Sequence, residues 1–470
     1  MFRSKVKQRR IFTNRRRSRR RFSWLGAIFS LALLLLALEL LTRIIVDLSG
    51  NRDEFTQVEN RSQDITQAYQ LNFVSPESQQ VNLKQDSLLA IPSLSVGYEL
   101  VGDRQSEYWQ LNQQGFRDRD PVLLAKPKDE IRVFLLGNST AFGYGNIDNA
   151  ATISAQLEQR LQQRLQQQQA SPQLYKPDVL PADKAKREKS LAKPPKIRSG
   201  NYRVINAAVP GYASGNELAQ LALKILKYKP DLIVVMDGYV DLMLPSEEKV
   251  TPVPTVERES ETEPNTVGAY IDRLLEPIQN NSYLAKTVRN YWQASAESDE
   301  PADFLFEEQT SDLVRYLPTD ESELQKRVDR YLEHQKQILN LSAAAQAPLV
   351  IALQPEITGR DASLLTPTEG EIATELGRTY IRRMRENYPV AIAASEQLAK
   401  AYPKNLKVID MYRMSDKYPS PSFIDPIHLN EEANKKVAEQ LYYAISSLPK
   451  MQVAPQQPST SAPNRPNRRR

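Results

Sequence analysis

The 470-residue chain contains no cysteine and only two histidines, His334 and His428. The first absence excludes disulfides, thiolate metal sites and a cysteine nucleophile. The second leaves no ligand set for a multi-histidine metal centre and gives histidine-dependent catalysis two candidates. Nucleotide-binding loops are missing as well. Gly137, Gly143 and Gly145 have neither the GKS/T ending of a phosphate loop nor the GxGxxG spacing of a dinucleotide loop. Nor is there a GxSxG nucleophile elbow, because Ala141 stands where its second glycine would be. No metal and no cofactor is therefore expected.

Acidic residues are absent from both ends. Residues 1–22 hold eleven Lys/Arg and residues 451–470 hold four Arg, leaving 47 basic against 57 acidic residues between them. The overall charge of +5 thus belongs to the termini, and the folded part is not read as a nucleic-acid binder. From Phe22 to Val46 the sequence is almost wholly apolar, interrupted by Glu39 and Arg43. About 25 helical residues exceed the roughly 30 Å of bilayer hydrocarbon, so this stretch predicts a membrane anchor. A cleaved signal peptide is the competing reading, against which no small-x-small site follows the run. The basic flank predicts a cytoplasmic N-terminus and an extracytoplasmic remainder, in the periplasm or at the cell surface. A nucleic-acid-binding arm is the other reading of those arginines.

The stretch Ile131–Gly145, IRVFLLGNSTAFGYG, organises the rest of the chain. Its first six residues predict a buried parallel strand that stops at Gly137, with a helix over Ala150–Leu165. Ser139 then lies in a strand-to-helix turn, where it serves either as a helix cap or as an exposed hydroxyl near a helix N-terminus. YRVINAAVP from Tyr202, DLIVVMDG from Asp231, PLVIALQPEI at 348–357 and Asn405–Met411 predict further strands. GNELAQLALKILKYK and the segments Ser322–Leu341 and Asn430–Ser447 have helical periodicity. Alternating strands and helices imply an α/β fold, a three-layer α/β/α parallel sheet preceded by one N-terminal transmembrane helix. Carboxyl ends of parallel strands share one edge, where Ser139, an acid and His428 can meet despite their separation in sequence.

Several residues also have plain structural readings. Gly115 before Phe116 suggests a tight turn that seats an aromatic ring. His334, with no second ligand one turn away, reads as a surface or satisfied histidine. Asp237 and Asp241 flank a turn and are expected to bond nearby backbone amides.

Residues 108–448, interrupted at about 160–200 and 250–345, resemble the SGNH (GDSL-type) hydrolases. The resemblance rests on Gly137-Asn138-Ser139, on Gly211, on Gly238-Tyr239-Val240-Asp241 and on Asp425-Pro426-Ile427-His428. It implies an SGNH-hydrolase, flavodoxin-like fold with Ser139 as nucleophile, His428 as base and Asp425 as triad acid. The backbone N–H groups of Ser139 and Gly211 would then form the oxyanion hole. The lead-in NxxGFR at Asn112–Arg117 is similar to that of membrane-anchored members. Two positions depart from the family: Asn138 replaces the aspartate of GDS, and Val240 replaces the asparagine that donates to the oxyanion. One such donor is worth about 10²- to 10³-fold in turnover.

The expected organisation is a basic cytoplasmic segment (1–22), an anchor (23–47), a stalk (48–107), the hydrolase-like domain (108–448) and a disordered basic tail (449–470). The expected activity is hydrolysis or transfer of acyl esters, on O-acyl groups of a cell-envelope carbohydrate or on a lipid ester. The alternative is a catalytically weakened module of the same fold that binds envelope glycan or an assembly partner.

Overall fold

The computed structural model describes residues 64–74, 87–252 and 313–457. The expected anchor with its basic flank, most of the interruption expected at about 250–345 and the tail from residue 458 lie outside them. Among the described residues no helix is long and apolar enough to cross a membrane.

Two small sheets precede the main one. Strand β1 (Leu71–Phe73) runs parallel to β2 (Leu88–Ser93), which pairs antiparallel with β3 (Gly97–Leu100), and β4 (Arg104–Gln105) forms a ladder with β5 (Gln110–Leu111). The part of the expected stalk that is described lies on the domain. Leu88 and Tyr98 are fully buried, the Tyr98 hydroxyl donates to the Pro210 carbonyl at 2.6 Å, and the Tyr212 hydroxyl donates back to the Tyr98 carbonyl.

The main sheet contains β6 (Glu130–Gly137), β7 (Asn201–Asn206), β8 (Leu232–Asp237), β9 (Leu349–Leu353) and β10 (Leu406–Asp410) in the order β10-β9-β8-β6-β7. Every pairing is parallel, with Val133 between Val204 and Leu232. β8 and β9 are buried at every position, as continuous apolar runs covered on both faces require, and each large side chain contributes roughly 1.5–3 kcal/mol. The order reverses between β6 and β8, so the crevice beyond their carboxyl ends is the natural ligand site of this doubly wound sheet.

From the main sheet onward the α-helices among the described residues are α1 (Ser139–Phe142), α2 (Ile153–Ala170), α3 (Lys184–Leu191), α4 (Ser214–Gln220), α5 (Tyr239–Met243), α6 (Glu321–Ala344), α7 (Pro367–Ala401) and α8 (Glu431–Ser447). α2 packs with α8, whereas α6 packs with both α4 and α7. After α4 the turns widen over Leu221–Ile225 and tighten over Leu226–Tyr228, so the helical stretch predicted there is irregular at its end. α6 links β8 to β9 as a layer helix and is not part of an insertion.

α2 runs to Ala170, so the stretch after Leu165, which the sequence allows as an exposed insertion or a helix extension, begins as an extension of the helix. Two further features differ from expectation. α7 has no predicted counterpart, because Gly370, Gly377 and Pro389 interrupt its pattern; the helix breaks at Gly377 (φ +75°, ψ 158°). Finally, residues 449–457 of the expected disordered tail are ordered. Val453 N–H bonds to the Lys196 carbonyl at 2.9 Å, Leu180 N–H to the Gln456 carbonyl at 2.9 Å, and Met451 is fully buried. The tail and the segment between α2 and β7 thus supply partners to each other's backbone groups.

Candidate active site

β6 delivers Ser139 to the sheet edge. Gly137 takes φ +151°, where a side chain would collide with the Met236 carbonyl of β8 and with Ala141. Asn138 caps α1: its Oδ1 accepts the Thr140 N–H at 3.0 Å, and its Nδ2 donates to Gln354 Oε1 at 2.5 Å. The capping role weighed for Ser139 therefore falls to Asn138. Ser139 is the half-buried first residue of the helix, and its N–H has no partner within the helix.

The far end of α1 is held by the NxxGFR segment. Asn112 Oδ1 accepts the N–H groups of Gln114 and Phe116, and Gly115 (φ +76°) lets the turn pass the Leu100 carbonyl, as a ring-seating turn predicts. Arg117 does more. Its buried guanidinium donates through Nη1 to the carbonyls of Phe142 (3.2 Å) and Gly143 (2.6 Å), and through Nη2 to the Tyr69 hydroxyl (2.8 Å) and the Tyr108 carbonyl (3.0 Å). It thereby supplies partners to carbonyls that the helix end leaves free.

His428 and Asp425 sit in the loop before α8. Asp425 Oδ1 accepts the N–H groups of Ile427 (3.0 Å) and His428 (2.8 Å), while Oδ2 meets His428 Nδ1 at 2.5 Å. Burial raises the Asp425 carboxyl, but the His428 charge and these hydrogen bonds outweigh it and hold the group below its ordinary value. With Nδ1 facing a carboxylate, Nε2 is the basic nitrogen, and it is buried without a hydrogen-bond partner among the described residues. Glu369 of α7 fixes the base of the loop, accepting the N–H groups of Ser422 (2.8 Å) and Phe423 (3.1 Å).

Three contacts join this loop and α8 to the serine turn. Thr140 Oγ1 donates to the Ile427 carbonyl at 3.2 Å, Asn434 Nδ2 donates to Asn146 Oδ1 at 2.7 Å, and the Tyr144 and His428 rings stack 4.4 Å apart at 19°. Ser139 and His428 thus belong to neighbouring turns, although no hydrogen bond links Oγ to Nε2. Gln354, just beyond β9, donates to Thr140 Oγ1 at 3.2 Å and extends the network to the sheet.

Gly211 (φ +81°) follows β7, and the Val209 N–H bonds to the Gly137 carbonyl at 3.0 Å, placing this loop beside the serine turn. Val240 is buried in α5, and its side chain offers no donor. Asp237 and Asp241 differ from expectation in having distant partners. Tyr331 (2.8 Å) and Gln335 of α6 donate to Asp237, while Ser214 donates to Asp241 through Oγ (2.5 Å) and N–H (3.0 Å). Burial, with like charges close by, raises both the Asp237 and the Glu217 carboxyls.

His334 is a satisfied histidine, its Nδ1 lying 2.8 Å from Ser214 Oγ. A second serine, histidine and aspartate therefore meet here in the order aspartate–serine–histidine. Ser214 is fully buried and gives its proton to Asp241, which leaves the imidazole to donate; among the described residues no carboxylate is hydrogen-bonded to that ring to orient it as a base.

Sequence reading missed Arg117, Tyr144 and Gln354 as supports. Gln354 had a signal, a polar residue directly after a buried strand. Arg117 was marked only as part of the NxxGFR lead-in, without a role, and Tyr144 had no signal, because both act through long-range contacts.

A serine turn beyond the first main-sheet strand, faced by an acid–histidine loop after the last, is the layout of an SGNH serine hydrolase. The chain belongs to the GDSL-like lipase/acylhydrolase family, whose model matches residues 133–441, and it is a serine esterase of that family. Solved structures similar to it include an acetyl xylan esterase, AlAXEase (12% identity, 67% of this chain and 100% of that chain, TM-score 0.30). A lipase/acylhydrolase from Enterococcus faecalis (12%, 67% and 95%, 0.30) and a catalytic mutant of the acetylxylan esterase Axe2 from Geobacillus stearothermophilus (10%, 68% and 96%, 0.32) are similar in the same way. No curated protein matches the chain.

Proposed function

We propose that the chain is a membrane-anchored, extracytoplasmic ester hydrolase or acyl transferase that acts on O-acyl groups of a cell-envelope carbohydrate or on a lipid ester. Ser139 is the nucleophile, His428 the general base and Asp425 the residue that fixes the imidazole and stabilises its charged form. The N–H groups of Ser139 and Gly211 receive the oxyanion. The observation that carries this reading is the Asp425–His428 pair, which leaves Nε2 without a hydrogen-bond partner among the described residues, in a loop bonded to the residue after Ser139. Anchoring rests on the apolar run Phe22–Val46 and its eleven basic neighbours.

Full-length protein is treated with a fluorophosphonate and assayed on p-nitrophenyl acetate and an O-acetylated oligosaccharide. The label is expected on Ser139, with label and turnover lost in Ser139→Ala and the label kept in Ser214→Ala. A label on Ser214, or no label and no turnover, would overturn the assignment.

Val240 supports a second reading, a module that binds glycan without cleaving it. In an enzyme short of one donor, Val240→Asn raises kcat by up to about 10²- to 10³-fold. In a binding module it changes nothing, and the unlabelled wild type is retained on an acetylated-glycan column.

A further inference from the structure

We infer that Tyr144, backed by Tyr69, is a positioning residue for His428, so that a segment preceding the hydrolase domain takes part in the chemistry at the serine. The inference rests on the triad proposed above. A single carboxylate at Nδ1 restrains the imidazole along one line and leaves the ring free to rotate about it. The Tyr144 ring removes that freedom, lying nearly parallel to His428 at 19° with centroids 4.4 Å apart. A face so placed also attracts the positive charge that the ring acquires when it takes the serine proton.

Tyr144 is itself held. Its ring meets that of Tyr69 at 4.9 Å and 44°, and Tyr69 is buried to 1% exposure. The Tyr69 hydroxyl donates to the Asn146 carbonyl at 2.6 Å and accepts from Arg117 at 2.8 Å. Beside it, Trp109 Nε1 donates to the Ala68 carbonyl at 2.8 Å and pins the segment to the domain. Arg117 also reaches the carbonyls at the end of α1, so one guanidinium couples the serine helix to the stack behind the histidine.

The test uses the full-length chain. Tyr144→Leu is expected to lower kcat on p-nitrophenyl acetate by about 10- to 100-fold, the usual cost of a small misplacement of a reacting group, with KM within about twofold. Tyr144→Phe keeps the ring and restores kcat to within about threefold. Tyr69→Leu, one layer back, lowers kcat in the same direction and carries the test if Tyr144→Leu does not fold. With [13C]histidine label the chain gives only two imidazole signals. The His428 signal is displaced by the tyrosine ring current in wild type and Tyr144→Phe and returns toward the free value in Tyr144→Leu.

Unchanged kcat in Tyr144→Leu, an equal loss in Tyr144→Phe, or a change confined to KM would overturn the inference while the hydrolase reading stands. Absence of wild-type turnover and of label on Ser139 would overturn the hydrolase reading, and the positioning role with it.

Discussion

Replacing Asp425 with asparagine separates the two tasks of this side chain. Oδ1 accepts the N–H groups of Ile427 and His428 at 3.0 and 2.8 Å, and an asparagine carbonyl can keep both bonds. Oδ2, which meets His428 Nδ1 at 2.5 Å, becomes an amide that can only donate. The imidazole must then accept at Nδ1 and carry its proton on Nε2, the nitrogen that has to receive the Ser139 proton. The loop therefore survives while the base is lost. In a serine triad this change of tautomer costs about 10⁴ in kcat, or about 5.5 kcal/mol of barrier. Folding stability is expected to stay within about 1 kcal/mol, since only one hydrogen bond changes character. The assay is kcat for p-nitrophenyl acetate release together with thermal unfolding of Asp425→Asn. A rate within tenfold of wild type at an unchanged unfolding midpoint would refute the assignment of Asp425 and the tautomer argument together.

Two further outcomes are expected. Arg117→Met removes six hydrogen bonds made by a buried guanidinium and leaves the carbonyls of Phe142 and Gly143 to their Asn206 and Asn146 donors, costing about 3–5 kcal/mol. Calorimetry should place its midpoint about 10 °C below wild type, and a fall under about 2 °C would contradict the role given to this arginine. Burial raises Glu356 from its ordinary 4.5 to about 7, against hydrogen bonds from Thr358 and Tyr380 that pull it down. Below pH 4.5 the group is protonated in both states. As pH rises toward 7 the unfolded chain ionises it first, so folding loses up to roughly 3 kcal/mol across that window. Glu356→Gln should flatten the fall in stability between pH 4.5 and 7, whereas parallel denaturation curves would exclude the effect.

The strand ends were legible in the sequence because continuous apolar runs that stop at glycine or a polar residue leave few alternatives for a parallel sheet. Ser139 could be proposed for the same reason, since strand-end residues of such a sheet share an edge, whereas Asp425 and His428 were assigned through the family resemblance of the DPIH block. The guanidinium of Arg117 was hidden, because nothing local distinguishes an arginine that reaches the Phe142 carbonyl from one in solvent. α7 was hidden by its own glycines and proline: the chain does break at Gly377, while beyond it the burial of Tyr380, Met384, Tyr388 and Ile392 holds the helix through Pro389. The order of residues 449–457 was unreadable locally because Lys196 and Leu180, which pair with their backbone groups, lie far off in sequence.

The motifs begin at residue 108 and end near 448, but the physical unit does not. Leu88 and Tyr98 on one side and Met451 on the other have no exposed surface. Trimming a recombinant fragment to the motif boundaries would open greasy sockets at both margins, and the resulting polypeptide would be sticky and prone to precipitate. Such material would come off a column inactive for reasons unrelated to its chemistry. Fragments meant for enzymology should therefore start before residue 64 and carry any affinity tag beyond residue 457.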